Sequence, residues 1–562
     1  MSEHAPRHVW TILALFVALT AVMTWPFPRY LANGVLTTGT DTDLTIWILG
    51  WDVHAFTRHP WSIFDANIFY PFRHTLAYSE NMIGSAFLAA PIIWLGGTPV
   101  LAMNVIVFAS IALSGLGAYL LARRLGLGTP AAILCGIVFA FAAPRFMRLD
   151  QFHLTTVQWI PFCLAYLHGY FEDGRPRDLR IAIAFFSLQA LTSGHGGVFC
   201  LLAIAVLLAD RLVRRTPLML VRRLRDVGVT GVLLLVPPAL TYLPYRAAQH
   251  DIGLRRGLDG WDIATSSFVA SPTYVDTWLL NRLPSWRWLS EPPDAWLFPG
   301  VLPLLLAAAA VIVRRRSSWR PPVWAWAYLV LAALCLWLAI GPPFGLWGWI
   351  YRLPGLSFIR VPTRFVIVGM LALGVLAAVG FERLTKGLSP SATRWLAGVT
   401  GALLIAEFAV APLHPIRYTM EIPDVDRYVA TLPGRVAVVD LPLPDSQSLI
   451  VREERNSRYM IHSLGHFRPI FEGYSGIQPP GYQEAYWQLT TFPDERSLQT
   501  LARMGFTHAI LHTSLIPSIE RAQVEARFAA FADRVVLVAT IGEGRLYELR
   551  PGPTPRAPSR KP

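Results

Sequence analysis

The chain has 562 residues, of which 54% are hydrophobic and only 15% charged, and its formal net charge is +13. Charged residues make up about a quarter of a typical soluble chain, so this composition indicates an integral membrane protein. The basic residues lie in short loops between apolar runs, as the positive-inside rule describes, and this distribution argues against a nucleic-acid partner. All four cysteines lie within apolar runs without a partner at metal-ligand spacing, so neither disulfides nor a zinc-cysteine site is expected.

Apolar runs long enough to cross a bilayer recur along the first 411 residues and predict about eleven transmembrane helices. The predicted spans are Val9–Trp25, Val100–Ala122, Pro130–Phe146, Leu154–Phe171, Leu179–Ser193, Gly197–Val213, Val227–Tyr245, Trp296–Val313, Val323–Ile340, Phe365–Leu384 and Trp395–Ala411. The first is interpreted as a retained signal anchor, because it ends in TWPFPRY and not in a small-residue cleavage site.

A further apolar run, Ile83–Gly97, is short and is interrupted by Pro91. We expect it to be a re-entrant or juxtamembrane helix, because only then do the basic loops fall on one, cytoplasmic, side when the N-terminus is also cytoplasmic. These loops are Arg123-Arg124, 211–225, 314–320 and 383–386. This topology places the C-terminal region outside the cytoplasm. If Ile83–Gly97 does cross, either that region lies inside or another predicted span is wrong.

Beyond Ala411 the sequence becomes polar and predicts a soluble α/β domain. Four strands are predicted, together with a helix near Asp494–Met504; the strands are Arg435–Pro442, Thr507–His512, Val535–Ile541 and Arg545–Leu549. The predicted fold class is therefore a polytopic α-helical membrane protein with a C-terminal α/β domain. Its expected parts are a transmembrane domain at 1–412 with an active-site loop at 26–81, an extracytoplasmic domain at 413–550 and a disordered tail at 551–562.

The loop that follows the first span, Pro26–Asn81, carries two acids close to the expected membrane surface. Asp41 and Asp43 stand two residues apart, and in a low dielectric their mutual repulsion could tune one of them to act as a base. The alternative is that they cap a helix starting near Leu44. The two roles are compatible, since one acid can cap while the other reacts.

The later part of the same loop supplies further polar candidates for substrate binding. These are Tyr70, His74, Tyr78 and Glu80. Glu80 precedes the Ile83 helix, and an acid at that place is also favoured by the helix dipole alone. A lone histidine such as His74 is more often a surface residue than a catalyst.

Three other segments on the same predicted face carry cations or histidines. Their candidate substrate-binding residues are Arg145, Arg148, His153, His195, Arg360 and Arg364. Guanidinium groups match phosphate oxygens bidentately, so the arginines could bind one specific phosphate, although ordinary lipid headgroups are the alternative. The glycines around His195 in SGHGG let a ligand approach closely, or else they simply form a tight turn.

The chain contains no Walker A, GxGxxG or HExxH motif, which argues against an ATP-driven pump and a nucleotide-sugar enzyme of the Rossmann type. A lipid flippase or transporter without chemistry is a second hypothesis. It would require polar residues through the membrane midplane. Here the polar residues crowd at one face, with Glu407 as an exception, and this favours chemistry at the membrane surface.

The segments GTDTDLTIWILGW and IFYPFRHTLAYSEN resemble bacterial members of the GT-C superfamily of polytopic glycosyltransferases. The segment ARRLGLGTPAAILCGIVFAFAAP is similar to their second and third spans. The resemblance covers about residues 1–410 and extends to the protein O-mannosyltransferase and lipid A aminoarabinose transferase families. It implies a catalytic aspartate in the first outer loop, which corresponds to Asp41 or Asp43.

The resemblance further implies an enzyme of the bacterial inner membrane that uses a polyprenyl-phosphate sugar. We expect inverting transfer of the sugar to an extracytoplasmic glycan, lipid or protein acceptor, with an aspartate as general base and Arg148, Arg360 and Arg364 at the leaving phosphate. No cofactor is required, although Asp41, Asp43 and Glu80 could hold a divalent cation. A non-catalytic partner that keeps the GT-C fold is a third hypothesis.

Overall fold

The computed structural model describes residues 5–214, 220–252, 263–280, 282, 295–312, 321–341, 343–353, 356 and 359–550. The basic loop predicted at 314–320 and the tail predicted at 551–562 lie outside these residues.

The described part of the first 411 residues is mainly helical. The helices are α1 (Ala5–Met23), α2 (Thr40–Arg58), α3 (Ile83–Trp94), α4 (Pro99–Arg124), α5 (Thr129–Phe141), α6 (Ala143–Phe146), α7 (Phe152–Thr155), α8 (Trp159–Asp173), α9 (Pro176–Thr192), α10 (Gly194–Val213), α11 (Leu220–Ile252), α12 (Tyr274–Leu280), α13 (Val301–Val311), α14 (Ala325–Ala339), α15 (Trp347–Ile350), α16 (Val366–Thr385) and α17 (Pro390–Glu407). Gly228, with φ 60° and ψ −176°, divides α11 into two helices at a kink.

Four helical segments of the described chain are long and apolar enough to cross a bilayer: Pro99–Arg124, Gly194–Val213, Leu224–Ile252 and Pro362–Thr385. Further apolar helices are shorter, among them Ile83–Trp94. The chain is therefore a multi-pass membrane protein. The count of eleven spans and the role of Ile83–Gly97 stay predictions.

The predicted span Pro130–Phe146 ends early, at Phe141, and the chain restarts as the short helix α6. Pro144 has no N–H to donate to the carbonyl of Ala140, four residues before it, so the helical ladder breaks here. The Arg145 Nη1 donates to that carbonyl instead, at 2.9 Å. Arg145 is buried, and it also donates to Ser114 Oγ at 2.7 Å. The guanidinium thus repairs the break that the proline creates.

The part of the chain beyond residue 413 forms an α/β unit. Its strands are β2 (Ile416–Arg417), β3 (Val438–Leu441), β4 (His508–His512), β5 (Val535–Ile541) and β6 (Gly544–Leu549), and its helices are α18 (Asp424–Val429), α19 (Leu449–Ser463), α20 (Tyr482–Leu489), α21 (Glu495–Met504) and α22 (Arg521–Ala530). The sheet order is β3-β4-β6-β5, with β3 parallel to β4 and the other pairs antiparallel. The four predicted strands and the predicted helix correspond to β3 to β6 and α21.

The first loop and this α/β unit are joined by backbone pairing. Gly34–Val35, which form β1, pair with β2, so backbone hydrogen bonds connect the segment after the first helix to the start of the unit. Farther along the loop, Ile470 N donates to Asn67 O at 2.7 Å and Tyr70 N donates to Ile470 O at 3.0 Å. Backbone groups that would otherwise need water are satisfied across the junction, which holds the unit over the loop.

Candidate active site

The two loop acids lie in the first turn of α2, and neither caps it. The helix begins at Thr40 with Gly39 as its N-cap, at φ 130°. The expectation that Asp41 and Asp43 cap a helix starting near Leu44 is therefore wrong, because the helix begins four residues earlier. Acids in a first turn still interact favourably with the helix dipole.

Asp43 is fully occupied by the C-terminal unit. Tyr418 Oη donates to Asp43 Oδ1 at 2.6 Å, and Ser457 Oγ donates to Asp43 Oδ2 at 2.8 Å. Both hydrogen bonds go to a half-buried carboxylate, so they are of the stronger, charge-assisted kind. This arrangement makes Asp43 an anchor between α2 and the C-terminal unit.

Asp41, in contrast, is exposed, and Tyr474 Oη donates to its Oδ1 at 2.7 Å. The Asp41 carboxylate interacts electrostatically with Asp150, which lies in the loop after α6. Burial raises the pKa of Asp150 and the charge of Asp41 raises it further, whereas the charge of Arg148 lowers it. Asp41 therefore faces the polar cluster at the ends of the neighbouring helices.

The centre of that cluster is a carboxylate–imidazole–guanidinium row. Glu80 Oε1 lies 2.5 Å from His195 Nδ1, and Glu80 Oε2 accepts from Gly194 N at 2.7 Å at the start of α10. Arg364 Nη1 lies 3.0 Å from His195 Nε2. Because a guanidinium can only donate, His195 Nε2 must accept, and the ring proton therefore sits on Nδ1 and is donated to Glu80.

The row explains the charge state of Glu80. Burial by itself would raise the pKa of this carboxyl, but the hydrogen bond from His195 and the Gly194 N–H, together with the charges of His195 and His153 once low pH protonates those rings, lower it to about 2. Glu80 is therefore ionised at neutral pH and holds His195, which in turn orients Arg364.

His153 and two further arginines surround this row. The rings of His153 and His195 have centroids 5.2 Å apart. Burial, and after it the charges of His195, Arg364 and Arg148, lower the pKa of His153 to about 3, while Glu80 opposes this. Arg364 is repelled by Arg148 and Arg360 as well. His153 Nε2 and Arg364 Nε are buried and have no hydrogen-bond partner among the described residues.

The structure thus brings six of the predicted residues into one cluster with Asp41: Glu80, Arg148, His153, His195, Arg360 and Arg364. These residues come from the segment before α3, the α6–α7 loop, α7, the start of α10 and the segment before α16. Three cations, with an Arg364 N–H that has no hydrogen-bond partner among the described residues, lie beside an exposed carboxylate, and such an arrangement can hold an anionic ligand.

Four other predicted residues are engaged elsewhere. Tyr70 Oη accepts from Arg435 Nη2 at 2.6 Å, against the C-terminal unit. His74 has a left-handed backbone and its N–H donates to Asp65. Tyr78 is buried beside Phe69, and the Arg145 guanidinium donates to the Ala140 carbonyl at the α5–α6 break.

Sequence reasoning did not assign Tyr418, Ser457 or Tyr474 to the site. No local signal marks them, because they bond to the acids of α2 from 375 to 433 residues away. Asp41, Asp43 and Glu80 do not gather into a common cation site either, since Asp43 and Glu80 point to different partners.

The fold is similar to that of solved glycosyltransferases. The arabinofuranosyltransferase AftD from Mycobacteria matches with 15% identity and a TM-score of 0.59, over 98% of this chain and 40% of that chain. The Archaeoglobus fulgidus oligosaccharyltransferase matches with 12% identity and a TM-score of 0.46, over 91% of this chain and 70% of its own. ArnT from Cupriavidus metallidurans matches with 14% identity and a TM-score of 0.39, over 97% and 98%. No protein-family profile and no curated protein matches the sequence.

The match to AftD defines the class of the fold. The resemblance to GT-C glycosyltransferases that the first loop suggested is confirmed at the level of the fold, and AftD carries this conclusion. The chain spans 40% of the length of AftD, so AftD has regions without a counterpart in this alignment.

Proposed function

We propose that the protein is a membrane glycosyltransferase that moves a sugar from a polyprenyl-phosphate donor to an acceptor outside the cytoplasm. The observation that carries this proposal is the exposed Asp41 carboxylate facing the cation cluster around Arg364. A base and a phosphate site side by side, at the ends of apolar helices, are what transfer from a lipid-linked phosphate requires.

We assign the role of general base to Asp41 and not to Asp43. A base must reach the acceptor hydroxyl, directly or through one water. Both oxygens of Asp43 already accept hydrogen bonds from Tyr418 and Ser457, whereas Asp41 is exposed and Tyr474 fixes only one of its oxygens. Tyr474 would orient Asp41 and leave the other oxygen for the acceptor.

The proposed step is an inverting displacement. The acceptor oxygen forms a bond to the anomeric carbon while Asp41 takes its proton, and the bond from that carbon to the phosphate oxygen breaks. The electron pair leaves with polyprenyl phosphate, and the added negative charge falls on its phosphate. Arg364, Arg148 and Arg360 would stabilise that charge, so no general acid is needed.

Glu80 and His195 would act on this step through Arg364. A guanidinium held by a hydrogen bond is oriented before the phosphate charge develops, and such preorganised charge contributes more than a mobile one. Glu80 fixes the His195 tautomer that can accept from Arg364. This role is positioning, since neither residue needs to touch the substrate.

The test is reconstitution of the purified protein in liposomes with a panel of polyprenyl-phosphate sugars and candidate acceptors, with released polyprenyl phosphate as the readout. We expect Asp41→Asn to lower the rate by about 10²-fold or more, because the base is lost. Asp43→Asn, the matched control two residues away, should keep most of the activity of the properly folded fraction.

The outcomes separate the hypotheses. Full activity of Asp41→Asn would contradict the base assignment. Movement of lipid-linked sugar across the bilayer without release of polyprenyl phosphate would contradict transfer and support a flippase.

A further inference from the structure

A second cluster of polar side chains lies inside the C-terminal unit, away from the row around Arg364. Its members are Asp426 on α18, Asp440 on β3, His462 on α19 and His512 on β4. All four are buried, with relative exposures of 0%, 1%, 6% and 4%. One potential ligand atom of each lies within 4.8 Å of those of the other three.

The sheet places two of these residues together. The parallel register pairs Asp440 with Ile510, so His512 lies two residues farther along β4 and on the same face as Asp440. His512 Nε2 lies 2.8 Å from Asp440 Oδ1. Both side chains stand at the carboxyl ends of parallel strands, which is where α/β sheets bind ligands.

Several polar atoms of the cluster lack partners. Both carboxylate oxygens of Asp426, Oδ2 of Asp440 and Nδ1 of His462 are buried without a hydrogen bond among the described residues. The closest cationic candidate, His466 Nε2, stays 3.8 Å from Asp426 Oδ1. Among the described residues His512 is hydrogen-bonded to Asp440, whereas Asp426 has no hydrogen bond. Burying two neighbouring carboxylates costs several kcal/mol unless a proton or a cation offsets their charge, and a bound cation would do so.

We propose that Asp426, Asp440, His462 and His512 form a binding site for a divalent transition-metal ion of the Zn²⁺ class. Two carboxylates and two imidazoles supply four ligands and neutralise the charge of the ion, and imidazole favours zinc over magnesium or calcium. Ligand atoms around Zn²⁺, each about 2.0–2.1 Å from the ion, lie roughly 3.3 Å apart. On binding, the widest separation in the cluster, which is within 4.8 Å, would shorten, and the 2.8 Å between Asp440 Oδ1 and His512 Nε2 would open slightly.

Surrounding groups support the site. Glu472 Oε1 accepts from Asp440 N at 2.8 Å, which fixes the strand beside the Asp440 carboxylate. A cavity of ≈480 Å³ borders His462 and His512, and Arg458 and the Gly542–Gly544 turn also line it. An ion can therefore reach the ligands from the cavity, which a metal site needs.

The site would also stabilise the anchor of the proposed active centre. His462 and Ser457 both belong to α19, and Ser457 donates to Asp43. A metal that ties α18 and α19 to the sheet therefore stiffens the surface that holds α2. The metal site itself does not depend on the proposed transferase function.

The test is metal binding by the full-length protein in detergent. Protein stripped with a chelator is titrated with Zn²⁺ in a metal buffer, and bound metal is measured by elemental analysis. We expect about one tightly bound Zn²⁺ per chain. His462→Gln and Asp426→Asn should each weaken this binding by about tenfold or more, because each removes a direct ligand.

Two control variants, at residues outside the cluster, distinguish the loss of a metal ligand from a general effect of substitution. His508→Gln, on the same strand as His512 but outside the cluster, and Asp41→Asn, in the proposed active site, should both retain the metal. X-ray absorption of the zinc-loaded wild-type protein should show four nitrogen or oxygen ligands with imidazole scattering and no sulfur. This measurement does not depend on how the variants fold.

Three results would overturn the proposal. They are a wild-type protein that binds no zinc, sulfur scattering in the loaded protein, or loss of the metal in Asp41→Asn but not in His462→Gln. The last result would assign the ion to the proposed active site.

Discussion

At the start of α10, the hydrogen bonds of Glu80 and His195 determine how the Arg364 cation is held in the candidate site. Glu80 accepts from Gly194 N and His195 Nδ1, and His195 Nε2 then accepts from Arg364. The half-buried Glu80 carboxylate accepts from the first N–H of α10, selects the His195 tautomer and, through His195, orients Arg364. The burial of such a group is favourable only because every partner is present.

The pKa of Glu80 gives a test of this network by stability. Because the folded protein lowers this pKa from 4.5 to about 2, the ionised form stabilises the fold. That contribution is fully present above pH 4.5 and is lost as the pH falls toward 2. We expect Glu80→Gln to lower the thermal midpoint at pH 7 and the difference from wild type to shrink below pH 4.5.

Thermal unfolding in detergent between pH 7 and pH 3 measures this difference. The exposed Glu484→Gln serves as the matched control and should change little at any pH. A Glu80→Gln deficit that stays constant across the range would show that the destabilisation does not come from ionisation.

Two arginines that look equivalent in the sequence, Arg145 and Arg148, have different roles near the break between α5 and α6. Arg145 donates to the carbonyl that Pro144 leaves without a partner, whereas Arg148 belongs to the cluster around Arg364 and, among the described residues, its side chain makes one long hydrogen bond of 3.4 Å to Gln151. The first is committed to the fold, and the second is the one we propose for the ligand.

Matched substitutions at these two arginines should therefore diverge. We expect Arg145→Gln to destabilise the protein by about 2–3 kcal/mol, because buried hydrogen bonds to a charged group are lost. Arg148→Gln should leave the thermal midpoint nearly unchanged and lower the rate of polyprenyl phosphate release. Equal stability losses in both variants would contradict this division of roles.

The docking of α19 on α2 is the second element-scale feature. Tyr418 and Ser457 satisfy both oxygens of Asp43, so removing either hydroxyl leaves a half-buried carboxylate oxygen unpaired. We expect Tyr418→Phe to cost about 1–3 kcal/mol, measured by thermal or denaturant unfolding. Tyr428→Phe, on an exposed tyrosine of α18, is the control and should have no measurable effect.

At the scale of the whole molecule, the pairing of β1 with β2 and of residues 67–70 with Ile470 requires the first loop and the C-terminal unit to share one side of the membrane. The positive-inside rule assigns that side to the exterior of the cytoplasm and assigns the loop between α16 and α17 to the cytoplasm. The side itself is a prediction.

Cysteine labelling tests this topology, because all four native cysteines are buried. Cysteines introduced at Trp61 and Ile519, which are 99% and 89% exposed, should react with an impermeant maleimide added outside intact spheroplasts. Leu388→Cys, between α16 and α17, should react only after permeabilisation. Labelling of Trp61→Cys and Ile519→Cys from opposite sides would contradict the junction itself.

The sequence by itself determined the class of the protein. Long apolar runs with basic loops specify a membrane protein because the bilayer demands internally bonded helices. Short strand-like runs bounded by turn residues located β3 to β6, and the resemblance in the first loop led to the fold and to the loop acids. These signals are local, so a single chain displays them directly.

Tertiary structure alone decided which acid is free. Asp41 and Asp43 are equivalent in sequence, and only Tyr418 and Ser457, 375 and 414 residues away along the chain, occupy Asp43. The same is true of Arg145 and Arg148, and of the four side chains of the proposed metal site, which come from α18, β3, α19 and β4. Such choices depend on which distant hydroxyl, carbonyl or carboxylate the fold brings within about 3 Å, and no local pattern records that distance.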